Sequence, residues 1–336
     1  MVAEGHRFAV LGAGSWGTAL ALLLARNGSQ VKLWGRDPRK MDELQRARSN
    51  ERYLPGSAFP DNLVATADLV DCLADADEVL LVVPSQGFRA AVQAVAQHAS
   101  SDIRVCWASK GLEPDSVKLL HEVVGEELGP ERPMAVLSGP TFAKEVAAGL
   151  PTLITVASTN QNYAEQLAER LHNDTFRAYT SDDMVGVQLG GAVKNVMAIA
   201  AGIADGMGLG ANTRAALITR GLAEIQRLGV SLGGKPETFM GLAGLGDLVL
   251  TCTDNQSRNR RVGLALAAGK SLDECLKELG QVAEGVYAAQ EVHQLAAKHD
   301  VEMPIVNEVY NIIYKNEAPH AALRALLARS QKAETD

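Results

Sequence analysis

Gly12-Ala-Gly14-Ser-Trp-Gly17 restricts the fold more than any other stretch of the chain. It follows an apolar run, Arg7–Leu11, that reads as a strand. It opens a stretch, Ser15–Asn27, that reads as a helix with Leu20, Leu22, Leu23 and Leu24 on its apolar face and Asn27-Gly28 at its end. A second strand, Val31–Trp34, follows about fifteen residues after the turn, as a βαβ unit requires. A bare G-x-G-x-x-G is weak evidence, but in the order strand, turn, helix, strand it predicts a dinucleotide-binding unit. Gly12 permits the tight turn, Gly14 lets the backbone approach a pyrophosphate, and Gly17 allows close helix–strand packing. The amides of Ser15 and Trp16 then face phosphate from a helix N-terminus.

The rest of the first half keeps this rhythm. Glu78–Val83, Ile103–Ala108, Met134–Leu137, Leu153–Val156 and Phe176–Thr180 read as strands. Helical stretches such as Gly87–Gln97 and Ser116–Leu128 lie between several of them. Strands alternating with helices predict an α/β fold with a Rossmann-like, doubly wound, mainly parallel sheet. Beyond residue 180 the pattern turns helical. Ser181-Asp182-Asp183 reads as a helix start, and Arg214–Leu228, Arg260–Ala268, Leu272–Leu279, Val286–His299 and Pro304–Lys315 as later helices. The expected division is a dinucleotide-binding domain, 1–180, and an all-α domain for substrate binding and catalysis, 181–336. The polar residues from Ser330 onward are expected to fray.

A net charge of −8 argues against a general nucleic-acid or anionic-membrane surface. The four cysteines, Cys72, Cys106, Cys252 and Cys275, show neither C-x-x-C spacing nor a neighbouring histidine at metal-ligand spacing. They read as reduced thiols in a cytoplasmic chain, with no metal site. No signal-peptide pattern precedes the first strand. From Met184 to Ala204 the segment is long and apolar enough to span a bilayer, with Lys194 its one charge. A central lysine costs about 2.5–3.5 kcal/mol to insert, so a helix buried inside a soluble protein is the expectation.

Lys194 in this apolar helix is also a candidate acid, because burial disfavours its charge and suits it to proton transfer near neutral pH. Gly190 and Gly191 thin the same helix, so that a backbone or a ligand can approach. Lys110, in Ser109-Lys-Gly-Leu112, follows a strand at the end of the sheet where ligands bind in open α/β folds. Gly139 and Thr141, in Ser138-Gly-Pro-Thr-Phe-Ala-Lys144, occupy an equivalent place. Asp247 ends a second glycine-rich turn, Gly241–Asp247, where it would hold a substrate hydroxyl, orient Lys194 or cap a helix. Ser257-Arg258-Asn259 opens a helix with the amides and guanidinium that a phosphate needs. At the end of the second strand, Gly35 stands where an acid for a ribose hydroxyl is expected. Asp37-Pro38 reads as a helix cap, and Arg36 would meet a 2′-phosphate, so NADP is accepted.

Taken in order, Gly12–Gly17, Ser109-Lys110-Gly111, Ser138–Glu145, Gly191–Asn195, Gly241–Asp247 and Ser257–Asn259 give the chain a resemblance to bacterial NAD(P)-dependent glycerol-3-phosphate dehydrogenases over nearly its whole length. The resemblance implies NADP(H) or NAD(H) as cofactor and dihydroxyacetone phosphate and sn-glycerol 3-phosphate as substrates. It implies Lys194 as the catalytic acid/base. Lys110, Gly139, Thr141, Asp247, Ser257, Arg258 and Asn259 would contact substrate. Lys110, Ala143, Arg258, Val282 and Glu284 would join Arg36 and the Gly12–Gly17 turn around the cofactor. It further implies a cytoplasmic homodimer whose product feeds glycerophospholipid synthesis. The rival readings are a related hydroxy-acid or sugar-acid dehydrogenase and a non-catalytic NADP sensor.

Overall fold

A computed structural model describes residues 5–331 and 333, so the fraying expected from Ser330 falls largely outside the described residues. Among the described residues eight strands form one sheet: β1 (Arg7–Leu11), β2 (Gln30–Trp34), β3 (Leu63–Thr66), β4 (Glu78–Leu81), β5 (Arg104–Trp107), β6 (Met134–Ser138), β7 (Thr152–Ala157) and β8 (Phe176–Ser181). Their order is β3-β2-β1-β4-β5-β6-β7-β8. Only β6–β7 is antiparallel among these pairs, which is the mainly parallel sheet that the sequence predicts.

The helices between the strands are α1 (Ser15–Arg26), α2 (Pro38–Ala47), α3 (Leu69–Ala74), α4 (Phe88–His98), α5 (Leu120–Leu128), α6 (Ala143–Ala147) and α7 (Gln161–Leu171). Alternation along β1 sends Phe8 and Val10 to one face and Ala9 and Leu11 to the other. The first face packs with Leu20 and Leu24 of α1 and Leu167 of α7. The second packs with Phe88 and Val92 of α4 and Leu120 and Val123 of α5. A strand buried on both faces is largely apolar, which is why the β1 and β4 segments stand out in the sequence, although buried Glu78 opens β4 and accepts the Tyr163 hydroxyl at 2.6 Å.

After β8 the chain is helical: α8 (Met184–Gly206), α9 (Gly210–Ser231), α10 (Pro236–Phe239), α11 (Asp247–Thr253), α12 (Arg258–Ala267), α13 (Leu272–Leu279), α14 (Glu284–Lys298), α15 (Pro304–Tyr314) and α16 (Pro319–Leu327). Helix α8 is long and apolar enough to cross a membrane, but its apolar window is wholly buried. Its start is capped by Asp183, whose Oδ1 accepts the Gly186 N–H at 2.8 Å. Two compact units emerge, Met1–Gly191 with Gly234–Asp247, and Ala192–Gly233 with Leu248–Asp336. The sheet ends at Ser181, but its unit continues to Gly191 and takes in 234–247. The cause is local: a Cβ on Gly190 would lie 2.4 Å from the Ala243 carbonyl oxygen, so the first turns of α8 pack directly on that returning segment.

Candidate functional site

In the sheet unit, the parallel strands β1, β4, β5 and β6 place their carboxyl ends along one edge. Strand order reverses between β1 and β4, and ligands bind at such a switch point. The glycine-rich turn lies there. Gly12 has a φ of 125°, and a Cβ on it would meet the Val82 carbonyl oxygen at 2.3 Å. A Cβ on Gly17 would lie 1.8 Å from the Gly12 carbonyl oxygen. A Cβ on Gly14, in contrast, would meet no heavy atom within 4 Å. Gly12 and Gly17 are therefore packing glycines, while Gly14 faces open space at the head of α1. That helix has neither a side-chain cap nor an acid in its first turn, so its positive end is left for an anion. Nearby, the buried Trp16 Nε1 has no hydrogen-bond partner. These features fit a dinucleotide pyrophosphate.

The far side of that cradle is less permissive. A Cβ on Gly35 would lie 2.5 Å from Met41 Sδ and 3.2 Å from Ala13 Cβ, so an acid cannot enter at the end of β2 without displacing its neighbours. Asp37 caps α2, as its sequence predicts, and Pro38 is the first residue of that helix. Lys40 contacts the Asp37 carboxylate through its side chain at 3.2 Å and its backbone N–H at 3.4 Å, which holds the carboxyl below the usual carboxylate range. Arg36 is exposed beside it.

Lys110 leaves β5 just after Ser109, whose hydroxyl donates to the Val83 carbonyl at 2.6 Å and ties the ends of β5 and β4 together. The Lys110 ammonium donates to Asp247 Oδ2 at 2.6 Å and lies 3.5 Å from the Gly139 carbonyl oxygen. Asp247 is 1% exposed. It follows the π-helical turn Leu242–Gly246 and begins α11. Thr141 Oγ1 donates to the Gly139 carbonyl at 3.3 Å, and Ala143 begins α6. Lys110, Gly139, Thr141 and Asp247 thus form one polar cluster. The sequence shows each of them, but not that Lys110 pairs with Asp247.

In the helical unit, Lys194 and Asn195 are both buried on α8. Asn195 Oδ1 accepts from Asn259 Nδ2 at 2.9 Å, and Asn259 Oδ1 accepts the Gly285 N–H at 2.9 Å. A Cβ on Gly285 would lie 2.6 Å from the Asn195 carbonyl oxygen, so glycine is what lets α14 approach. Ser257 caps α12 by accepting the Arg260 N–H at 3.2 Å, and its hydroxyl also lies 3.0 Å from Thr251 Oγ1. Arg260 is buried and structural: Nε donates to the Cys252 carbonyl at 3.1 Å and Nη2 to Asp205 at 2.5 Å. Arg258 is more open, 3.5 Å from Gln281 Oε1. Val282 is exposed, and Glu284 is the first residue of α14, where an acid suits the helix dipole.

One contributor escapes sequence reasoning, and a second is seen there only as the start of a motif. Asn50, 1% exposed, donates to the Ala13 carbonyl at 3.2 Å and to Thr18 Oγ1 at 2.8 Å, pinning the glycine-rich turn. Ser138 Oγ, buried without a hydrogen-bond partner, lies 2.8 Å from where a Gly191 Cβ would stand. Asn50 sits in no pattern that marks a site, because an isolated polar residue becomes informative only once its neighbours are known. Ser138 opens the Ser138–Lys144 motif, but the sequence gives its hydroxyl no role.

Comparison with known proteins identifies the family. Residues 7–164 match the family model for the N-terminus of NAD-dependent glycerol-3-phosphate dehydrogenase, and residues 183–324 match that for its C-terminus. The chain is 57% identical to glycerol-3-phosphate dehydrogenase (NAD(P)+) of Nitrosococcus oceani over 98% of this chain and 96% of that one. It is 55% identical to the protein of the same name from Xanthomonas euvesicatoria pv. vesicatoria, with the same coverage. The crystal structure of glycerol-3-phosphate dehydrogenase from Coxiella burnetii superposes with a TM-score of 0.94 at 51% identity, covering 97% of this chain and 99% of that one.

Proposed function

The chain belongs to the NAD-dependent glycerol-3-phosphate dehydrogenase family, and from that premise we propose how its residues interconvert dihydroxyacetone phosphate and sn-glycerol 3-phosphate. It is an NAD(P)-dependent oxidoreductase of that type. The observation that supports the assignments in the sheet unit is its shared edge: parallel strands deliver the glycine-rich turn, Lys110 and the Gly139–Thr141 turn to the same edge of the sheet. The roles given to residues of the helical unit rest on membership of the family.

Gly12, Gly14, Ser15, Trp16 and Gly17 hold the cofactor pyrophosphate, with Ala143, Val282 and Glu284 completing the cofactor's surroundings. Arg36 meets a 2′-phosphate, so NADPH is accepted alongside NADH. When bound, the reduced nicotinamide supplies a hydride to C2 of the ketone. Lys194, as ammonium, stabilises the negative charge that grows on the C2 oxygen and gives that oxygen its proton. In the reverse direction it takes the proton back. Lys110 lends positive charge beside the substrate, with Asp247 fixing its direction. Gly139 and Thr141 offer polar contacts. Ser257, Arg258 and Asn259, at the positive end of α12, hold the substrate phosphate, and Arg258 also approaches the nicotinamide. Anchoring at the phosphate converts binding energy into orientation of C2. The protein acts as a cytoplasmic homodimer, and its product supplies glycerophospholipid synthesis.

The test is loss of reduced-nicotinamide absorbance with dihydroxyacetone phosphate, measured separately with NADPH and NADH. Oxidation that disappears with unphosphorylated dihydroxyacetone supports the phosphate-anchoring role. Equal rates with the two ketones reject that role and favour a hydroxy-acid or sugar-acid dehydrogenase. A folded protein that binds NADPH but oxidises none rejects the catalytic reading.

A further inference from the structure

The loop between β5 and α5 carries Lys110, and its backbone is bent in an unusual way. Gly111, Asp115 and Val117 all have positive φ, at 137°, 65° and 52°. Glycine adopts this region freely, whereas a β-branched residue does so only when its surroundings force it. Val117 is buried. Its turn is closed through Glu113, whose N–H donates to the Lys118 carbonyl at 2.9 Å and whose carbonyl accepts the Val117 N–H at 3.0 Å.

The Glu113 side chain is held just as firmly. Arg89, on α4, grips it in a fork: Nε donates to one carboxylate oxygen and Nη2 to the other at 2.9 Å. Ser116 Oγ donates to the same carboxylate. Arg89 also donates to Glu126 Oε2 at 2.7 Å and to Glu127 Oε1 at 2.5 Å, both on α5. The Glu113 side chain is 12% exposed and that of Arg89 31%. An open, single-contact ion pair on a surface contributes little. A bidentate pair, partly screened from water and shared with two further carboxylates, has fixed direction as well as charge. Its loop residue lies three positions after Lys110, the lysine that reaches Asp247 at 2.6 Å.

We propose that the Arg89–Glu113 pair is a positioning device for the dehydrogenase reaction: it locks the bent loop and thereby sets where the Lys110 ammonium stands. Arg89 acts through Lys110 and touches neither substrate nor cofactor. This rests on the role proposed above for Lys110 at the substrate. Without Arg89, the backbone at Asp115 and Val117 relaxes toward extended conformations, and Glu113 moves outward with the loop.

The test is a double-mutant cycle of Arg89→Ala and Lys110→Ala in the full-length enzyme. Four quantities are read: KM for dihydroxyacetone phosphate, kcat, NADPH affinity by nucleotide fluorescence, and melting temperature. The expected result for Arg89→Ala is a KM raised about tenfold, with NADPH affinity within about twofold of the wild type. On the Lys110→Ala background, Arg89→Ala should add nothing further to KM, because the group that it positions is already gone. A fully additive KM effect overturns the proposal, as does an unchanged KM in folded Arg89→Ala. If Lys110→Ala alone leaves KM unchanged, the reading of Lys110 fails, and the positioning proposal fails with it. If Lys110→Ala raises KM but Arg89→Ala does not, only the positioning proposal fails. Should Arg89→Ala not fold, Glu113→Gln keeps the side-chain shape, removes the charge and is read against the same outcomes.

Discussion

Asp247 holds its carboxylate against the Lys110 ammonium at 2.6 Å, with side-chain exposures of 2% and 12%. A pair this buried does little for stability beyond what apolar side chains of similar size would do, but breaking it from one side leaves the other charge buried and uncompensated. Asp247→Ala should therefore destabilise the fold by on the order of 3 kcal/mol. The double replacement Lys110→Met with Asp247→Leu should recover most of that loss without restoring turnover. Urea denaturation and the ketone-reduction assay, run on the same preparations, separate the two effects. If the double variant stays as unstable as the single one, the loss does not come from an unpaired charge; if folded Asp247→Ala turns over normally, the pair has no place in the reaction. Lys194 is tested more directly: Lys194→Ala should lower kcat by roughly 10²–10⁴-fold, the usual scale for a lost proton donor, while NADPH binds nearly as before. Near-normal turnover would remove Lys194 from its role. Both lysines stand out in the sequence, Lys194 because it interrupts an apolar helix and Lys110 because it directly follows a strand at the sheet end where ligands bind. Arg89 and Asn50 are not, since each is one polar residue among many. What distinguishes them is a partner 24 or 32 positions away, which composition and spacing cannot supply.

At the scale of elements, close approach of helices is decided by single hydrogens. Within the helical unit, α12 packs on the second half of α8 through facing glycines. A Cβ on Gly263 would lie 2.1 Å from the Ile199 carbonyl oxygen, and one on Gly202 would lie 2.1 Å from the Arg260 carbonyl oxygen. Both obstacles are backbone, so neither can rotate away. Gly263→Ala should cost about 2–3 kcal/mol or more, through overpacking that the crossing cannot absorb. Gly125→Ala in α5 is the control: its new Cβ would sit 3.8 Å from Pro130 Cα, an ordinary contact. The alanine there should stabilise by up to about 1 kcal/mol through helix propensity. Chemical denaturation of both variants checks the contrast, and equal effects would refute the packing argument. The sequence shows that α8 exists, but not which helix its glycines admit. Elements with two-sided apolar burial are legible in the same way. Helix α5 shows the limit: its sequence predicts a start at Ser116, whereas the helix begins at Leu120 because Asp115 and Val117 are left-handed. Strand β3 is invisible in the sequence because it is only partly buried: Val64 is exposed between buried Leu63 and Ala65, so it lacks the continuous apolar run that marks the equally short β4.

For the whole molecule, one buried carboxylate ties stability to pH. Glu224 on α9 is 4% exposed and accepts the N–H groups of Ile305 at 2.7 Å and Val306 at 3.3 Å. These amides open α15, whose first residue is Pro304 and whose N-cap, Met303, provides no side-chain acceptor. A residue from a distant helix therefore does the capping. Burial pushes the Glu224 carboxyl up to about 7, against the two backbone donors and the Arg227 and Arg329 charges that act to lower it. A carboxyl with a raised folded pKa binds more protons in the native state than in the unfolded chain, where its ordinary value is 4.5. Stability from this group is thus fully present below that unfolded value. It declines as pH rises toward 7 and changes no further above it. The difference between the two pKa values is worth on the order of 3 kcal/mol across the window. Glu224→Gln removes the titration and keeps the size of the side chain. Other titrating groups act alike in both proteins, so the informative quantity is the stability of the wild type minus that of Glu224→Gln. It should fall by up to about 3 kcal/mol between roughly pH 5 and pH 7 and level off by about pH 8. Urea denaturation of both proteins over that range measures it. A difference that stays constant with pH would mean that Glu224 is already ionised in the native state at pH 5, and that its two backbone donors outweigh its burial.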